Sequence, residues 1–246
     1  MSGHSKWATT KRKKWAEDAK RSSLFTKLAN TISIAARTGG DPETNFALRI
    51  AIEKAKAASM PKENIERVLR RAQGGVDGAA IEEVIYEGYG PGGVAILIQC
   101  LTDNRLRTIS AIRAVFNKFG GSLAEAGSVS YLFEKKGQII IKSKSEIRNP
   151  NDETKMENFL EETIIDSGAD DFEVEEDTII VYTGISQLQS VLKFFQDAGV
   201  KTDSSDIIYE AKSIVAISEE KKASIEKLLE ALSADDDVNE VYTNLE

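Results

Sequence analysis

Apolar residues recur at helical spacing through the first third of the chain. Leu24, Phe25, Leu28, Ala29, Ile32, Ala35 and Ala36 share one face of a helix. Thr38-Gly39-Gly40-Asp41-Pro42 stops it, with glycine at the cap and proline just beyond. A second helix is predicted from about Asn45 to Ala58, with Leu48, Ala51, Ile52 and Ala55 inward. Pro61 fits the first turn of a third, where its missing N–H costs nothing. There Ile65, Val68, Leu69 and Ala72 follow the i, i+3, i+4, i+7 pattern, which leaves Arg67, Arg70 and Arg71 on the opposite side. Gly74-Gly75 ends that helix.

The pattern then changes. Ile81–Glu87 and Val94–Leu101 read as strands, the second a nearly continuous apolar run suited to a central position. Arg105–Phe119 is predicted as a helix with Ile109, Ile112, Val115, Phe116 and Phe119 inward, and Val129–Phe133 as another strand. From about Lys136 the elements run strand (Gln138–Lys142), helix (Asp152–Ser167), strand (Phe172–Glu175), strand (Thr178–Tyr182), helix (Ser186–Ala198) and strand (from Val200). That βαββαβ order is the ferredoxin-like plan. After the apolar segments Ile207–Tyr209 and Ile214–Ile217 come a helix, about Glu219–Leu232, and a last strand at Val238–Tyr242. The pieces flanking the βαββαβ unit are each too small for a sheet of their own. The expected fold is therefore α+β and multidomain: an N-terminal helical bundle followed by two α+β domains, one inserted in the other. The boundaries are a helical domain over 1–75, a discontinuous α+β domain over 76–135 plus 206–246, and an inserted ferredoxin-like domain over 136–205.

Composition narrows the class. With 246 residues, 41% of them hydrophobic, the chain can bury the cores of two or three domains. A single cysteine, Cys100, excludes an internal disulfide framework and fits a reducing compartment. No apolar run approaches the roughly 20 residues of a membrane span. Ala16-Glu17-Asp18 follows the basic start, which fits neither a secretory leader nor a mitochondrial transit peptide. The expectation is a cytoplasmic monomer with no membrane partner. Its net charge of −8 hides an asymmetry: residues 1–75 hold 16 Lys+Arg and 7 Asp+Glu, while the remainder holds 16 and 33. Such a split points to one module that faces a polyanion and others that do not.

The candidate contacts follow from that split. Lys6, Lys11, Arg12, Lys13, Lys14, Lys20, Arg21 and Lys27 stand against only Glu17 and Asp18 in the N-terminal arm and the start of the first helix. Such cations displace condensed counterions from a phosphate backbone. Trp7 and Trp15 offer faces for unpaired bases, worth about 1–3 kcal/mol per base; equally, they could anchor the arm on the bundle. Arg67, Arg70 and Arg71 either extend this surface or form a solvated face in which Glu63 pairs with Arg67 at i, i+4. Asp103 or Asn104 suits a helix N-cap. Arg105 and Arg107 then occupy a first turn where the dipole disfavours cations, a hint of a phosphate ligand. Gly88-Tyr89-Gly90-Pro91-Gly92-Gly93 lacks the Gly-Lys-Ser/Thr ending of a phosphate loop and reads as a tight strand connection. Catalysis finds little support. His4 has no second imidazole to work with, Cys100 sits in a strand predicted to be buried, and Asp170-Asp171 and Asp235-Asp236-Asp237 resemble turns. No catalytic residue, metal or cofactor is expected.

Several stretches resemble motifs of the YebC/PmpR family: Gly3-His4-Ser5-Lys6-Trp7-Ala8, Phe25-Thr26-Lys27-Leu28, Met60-Pro61-Lys62-Glu63-Asn64-Ile65-Glu66-Arg67 and Tyr86-Glu87-Gly88-Tyr89-Gly90-Pro91-Gly92-Gly93-Val94-Ala95. Leu101-Thr102-Asp103-Asn104-Arg105, Gly127-Ser128-Val129, Asp236-Asp237-Val238, Val241-Tyr242 and Asn244 continue the match in the family's order, so it covers essentially the whole chain. The resemblance implies three domains, a helical bundle and two α+β domains with one inserted in the other. For bacterial members it implies DNA-binding transcriptional regulation. The mitochondrial relative, the translational activator of cytochrome c oxidase subunit I, implies instead a task on messenger RNA or the ribosome.

Overall fold

The computed structural model describes residues 18–74, 80–142, 153–175 and 178–246. Three helices open it: α1 (Asp18–Ala35), α2 (Phe46–Ala57) and α3 (Lys62–Gly74). Both α2 and α3 pack on α1. Their shared core joins Leu28, Ile32 and Ala36 to Leu48, Ala51, Ile52, Ala55, Met60 and Ile65, the helical stripes predicted from spacing. Asn45 ties two ends together. Its Oδ1 caps α2 by accepting from Leu48 N (3.1 Å), while its Nδ2 donates to Ala35 O (2.7 Å) and Gly39 O (2.6 Å). Between α2 and α3 the chain turns within four residues. Ser59 takes a φ of 60°, Met60 N–H donates to Ala55 O and Ser59 N–H to Lys56 O, a Schellman closure with Met60 buried beneath it.

The remaining elements, in order, are β1 (Glu82–Tyr89), β2 (Ala95–Thr102), α4 (Arg105–Lys118), β3 (Ser122–Ala124), β4 (Phe133–Lys142), α5 (Glu153–Asp166), β5 (Asp171–Glu175), β6 (Thr178–Thr183), α6 (Leu188–Asp197), β7 (Ser204–Ala211), α7 (Glu219–Ser233) and β8 (Val238–Thr243). The described residues up to Glu134 form one compact unit with Glu210–Glu246, and Lys135–Tyr209 forms a second.

In the first unit an antiparallel sheet runs β3-β1-β2-β8. Every residue of β2 except Gln99 is buried, as its continuous apolar run predicts. Alternate β2 residues, Ile96, Ile98 and Cys100, meet Ile112 and Phe116 of α4 and Ile225, Leu228, Leu229 and Leu232 of α7. The glycine loop serves this packing. A Cβ on Gly90 would come within 2.4 Å of Ile225 Cδ1, and one on Gly88 within 2.6 Å of Phe116 Cζ. Gly90 N–H donates to Val94 O (2.8 Å), and Gly92 and Gly93 take φ of 87° and 78° to close the turn.

Two local expectations in the first unit differ from the structure. Ser122–Ala124 pairs with β1 as β3, although three residues carry too little alternation to announce a strand. Val129–Phe133 is not a strand: Ser130–Leu132 is a single 3₁₀ turn, and β4 starts at Phe133. The physical reason is Glu87, described below.

The second unit has the strand order β5-β6-β4-β7 and the element sequence of the ferredoxin-like plan. In the ladder between β4 and β6, Ile139 faces Val181 and Ile141 faces Ile179, and all four are buried. Leu160 and Ile164 of α5 and Leu188, Val191 and Phe195 of α6 are buried too. Its last strand, β7, begins at Ser204 rather than near Val200.

Candidate nucleic-acid interface

The cations singled out in the sequence fall into three groups. Lys6, Trp7, Lys11, Arg12, Lys13 and Lys14 lie outside the described residues, as does Trp15. Lys20 belongs to the first turn of α1. The next residue, Arg21, is exposed, with its guanidinium 5.4 Å from the centre of the Phe25 ring.

On α3 the three arginines form one outward stripe, because positions 67, 70 and 71 are neighbours at i, i+3 and i, i+4. All three are exposed, while Ile65 is buried on the other side. Arg67 donates to Asn64 Oδ1 (2.9 Å), one residue beyond the Glu63 that its spacing offered. Arg70 and Arg71 have no ion-pair partner among the described residues.

Lys27 is different. It is only 4% exposed, and its Nζ donates to Ser233 O (2.6 Å) at the end of α7. A cation there satisfies a terminal carbonyl and opposes the negative end of the helix dipole. Around it runs a polar seam between α1 and the sheet: Ser23 Oγ donates to Asp236 Oδ1 (2.6 Å) and Thr31 Oγ1 to Asn239 Oδ1 (3.3 Å). Lys54 of α2 lies 3.5 Å from Glu240. The expectation that Lys27 contacts a polyanion is thus corrected: its charge is committed inside the protein. Nothing near Lys27 in sequence announces this, since its acceptor is 206 residues away.

Arg105 and Arg107 are also committed, though at the surface. Arg105 pairs with Glu82 of β1. Arg107 reaches both oxygens of Asp237 (2.9 and 2.8 Å) and Asp103 Oδ1 (2.9 Å). Asp237 also accepts from Thr108 Oγ1 (2.8 Å), and Asn104 Oδ1 caps α4 by accepting from Arg107 N (3.1 Å). These hydrogen bonds to acids raise the pKa of both guanidinium groups. Acid partners explain cations in a first turn without a phosphate, so the phosphate hint is not needed. Glu82 and Asp237 were missed because strand pairing and chain return, not local spacing, bring them there.

A further residue that spacing did not single out organises this half of the molecule. Glu87 is 5% exposed on β1. Its carboxylate accepts from Gly127 N (2.8 Å), Val129 N (2.6 Å) and Ser130 N (2.9 Å). Burial alone would raise its pKa, but these backbone donors, with the Ser130 side chain, outweigh burial and hold it below the ordinary 4.5. The signal available was an acid inside an otherwise half-buried strand, flanked by Tyr86 and Gly88. Tyr89 adds a bond from its hydroxyl to Ser128 O (2.8 Å). The two glycine-containing motifs of the sequence are therefore one structural unit.

Among the described residues, little catalytic chemistry is assembled. Burial pushes the Cys100 thiol far up, helped by the nearby Asp235 and Asp237 and opposed by Lys27, so it is no thiolate nucleophile. Among the described residues no cluster of His, Cys, Asp and Glu could hold a metal ion, and no described helix is long and apolar enough to cross a membrane.

Known proteins match this architecture end to end. Residues 5–75 match the family described as TACO1/YebC protein N-terminal domain, and residues 81–245 that described as TACO1/YebC second and third domain. A protein of Chloroflexus aggregans named "Probable transcriptional regulatory protein" is 49% identical over 248 residues, covering 100% of this chain and 96% of its own. One of Bacillus licheniformis, similarly named, is 45% identical and covers 100% of both chains. The crystal structure of a conserved hypothetical protein from Aquifex aeolicus superimposes with a TM-score of 0.84 at 42% identity, over 94% of this chain and 96% of that one. The chain belongs to the TACO1/YebC family.

Proposed function

We propose that this protein is a non-enzymatic nucleic-acid-binding regulator of gene expression, and that it contacts its target through the basic arm, Lys20, Arg21 and the outward face of α3. The observation that carries this reading is the arginine stripe Arg67, Arg70 and Arg71, exposed and, for Arg70 and Arg71, without a described ion-pair partner. It lies on a segment that holds 16 cations against 7 anions. Such a surface releases counterions from a phosphate backbone, whereas the paired arginines of α4 do not. The relatives from Chloroflexus aggregans and Bacillus licheniformis, named as probable transcriptional regulatory proteins, favour a role in transcription.

A second reading is a translation factor on ribosomal or messenger RNA. Trp7 and Trp15, placed among the cations of the arm, favour it, since tryptophan faces stack on unpaired bases. Ultraviolet crosslinking in living cells, with sequencing of the attached nucleic acid, separates the two. Fragments concentrated at a few DNA segments support the first reading and fragments of ribosomal RNA the second. A variant with Lys11, Arg12, Lys13 and Lys14 reversed to Glu is expected to lose the crosslinks. Crosslinks that persist in it would overturn the role given to the arm.

A further inference from the structure

β1 has an open edge. It pairs with β2 along Glu82–Tyr89 but with β3 only along Glu87–Tyr89. From Glu82 to Tyr86 no described strand lies on its other side, and alternate N–H and C=O groups there point outward. A free edge of this kind is usually blunted by charged side chains, above all lysine, by proline or by a bulge, because it templates pairing with another chain. Glu82–Tyr86 contains no lysine, proline or bulge, and its two charges are already engaged, Glu82 by Arg105 and Glu83 by Gln99 Nε2 (2.7 Å).

The edge stays open because of Glu87. After Ala124 the simplest course for the chain would be to continue the ladder alongside Tyr86 and Ile85. Instead the Glu87 carboxylate takes the N–H groups of Gly127, Val129 and Ser130, and Gly127 turns at a φ of 89°. A groove opens where the next pairs would have formed, lined by Ile85, Tyr86, Ile109, Arg113, Leu123 and Glu125. Leu106 lies on the same stripe of α4 as Ile109 and Arg113 and is 80% exposed, the most exposed large apolar side chain among the described residues.

We infer that this edge is a docking site for an extended peptide segment of a partner protein, one that adds a strand to β1 and carries an acidic side chain toward Arg113. The main-chain groups require a polypeptide, since only an extended peptide supplies N–H and C=O alternately at the strand repeat. The charge follows from pairing. Arg105 and Arg107 are matched by Glu82, Asp103 and Asp237, whereas Arg113 is exposed and has no ion-pair partner among the described residues. Glu125 in the same groove is likewise unmatched among them, so the incoming strand sets an acid at Arg113 and a polar or basic residue at Glu125. Leu106 and Ile85 supply apolar contacts for alternate side chains of the incoming strand. The main-chain groups of the edge are what single out a protein partner rather than the nucleic acid.

The test uses the full chain. A random dodecapeptide library displayed on phage is panned on the wild-type protein and counter-selected on a Leu106→Asp, Arg113→Glu variant. Both side chains are exposed, so the variant keeps its fold, which its melting curve verifies. The selected sequences are expected to be rich in β-branched residues and to carry an Asp or Glu. Synthetic copies are expected to bind at least tenfold more weakly to each single variant, and to slow amide hydrogen exchange within Glu82–Tyr86. The inference is overturned by a panning with no sequence enriched over the counter-selection, by peptides that bind Leu106→Asp and Arg113→Glu, each made singly, as tightly as wild type, or by binding that leaves those amides unprotected. A concentration-dependent dimer of the free protein, with the same amides protected, would overturn it in favour of a second copy as the occupant.

Discussion

Arg67, Arg70 and Arg71 on α3 and Arg105 and Arg107 on α4 are all exposed arginines on helix surfaces, yet the two sets are held differently. Each arginine of the α4 pair has an acid across it, Glu82 for one and Asp103 and Asp237 for the other. On α3, Arg67 leans on a neutral asparagine and the other two have no described ion-pair partner. Under the proposed function the difference makes cation pairing, rather than the cation count, the guide to the binding surface. A guanidinium already matched by carboxylates gains little from a phosphate, because it must give up bonds to make new ones. Lys27 is the limiting case, a cation of the basic module that has become part of the interior.

The comparison can be broken most easily at the arm. Reversing Lys11, Arg12, Lys13 and Lys14 is expected to lower affinity for nucleic acid by about two orders of magnitude or more at moderate salt, through lost counterion release. The melting temperature should stay within about 2 °C. Titration by fluorescence anisotropy and a thermal melt check both parts. A large loss of stability would mean that the arm is structural.

Glu87 tests the opposite kind of charge, one that holds the fold. Glu87→Ala leaves three backbone donors without their acceptor and is expected to destabilise by roughly 3 kcal/mol, measured by urea unfolding. Because the folded pKa is depressed, its contribution is fully present above the unfolded value near 4.5 and is lost as the pH falls through the lower folded value. Wild type and Glu87→Gln should therefore converge in stability below pH 4.5, and a gap that persists in strong acid would contradict the ionised assignment.

Lys27→Met keeps the stem and removes the charge. It is expected to cost about 1–3 kcal/mol, the penalty for an orphaned Ser233 carbonyl, while affinity for nucleic acid stays unchanged. A selective loss of affinity would return Lys27 to the interface. The smallest effect is foreseen for Arg107→Ala, with a melting temperature lowered slightly and binding as in wild type.

Much of this architecture was legible in the sequence, for identifiable reasons. The stripes of α1, α2 and α3 and the apolar run of β2 are local patterns of seven or more residues, and local patterns fix the helices and the central strand. The βαββαβ order likewise yields the sheet order of the second unit. What failed depends on distant partners. Val129–Phe133 has the composition of a strand, but its N–H groups are taken by a side chain some 40 residues earlier. The burial of Lys27 is set by the end of a helix at the far end of the chain, and the engagement of Arg107 by Asp237, 130 residues on. Of the candidate site, the outward side of Arg67, Arg70 and Arg71 was readable because Ile65 and its companions fix the helix's rotation.

The central claim is that unpaired cations on the bundle, and not the paired ones on the sheet domain, face the polyanion. The salt dependence of binding tests it most directly. Affinity for a short random-sequence DNA duplex would be measured across a range of potassium chloride for wild type, for Arg67→Ala/Arg70→Ala/Arg71→Ala and for Arg105→Ala/Arg107→Ala. The slope of log affinity against log salt is predicted to become shallower by about 0.9 for each arginine of α3 that contacts a phosphate, and to stay at the wild-type value for the α4 pair. Equal slopes in wild type and the α3 variant, or a shallower slope in the α4 variant alone, would contradict it.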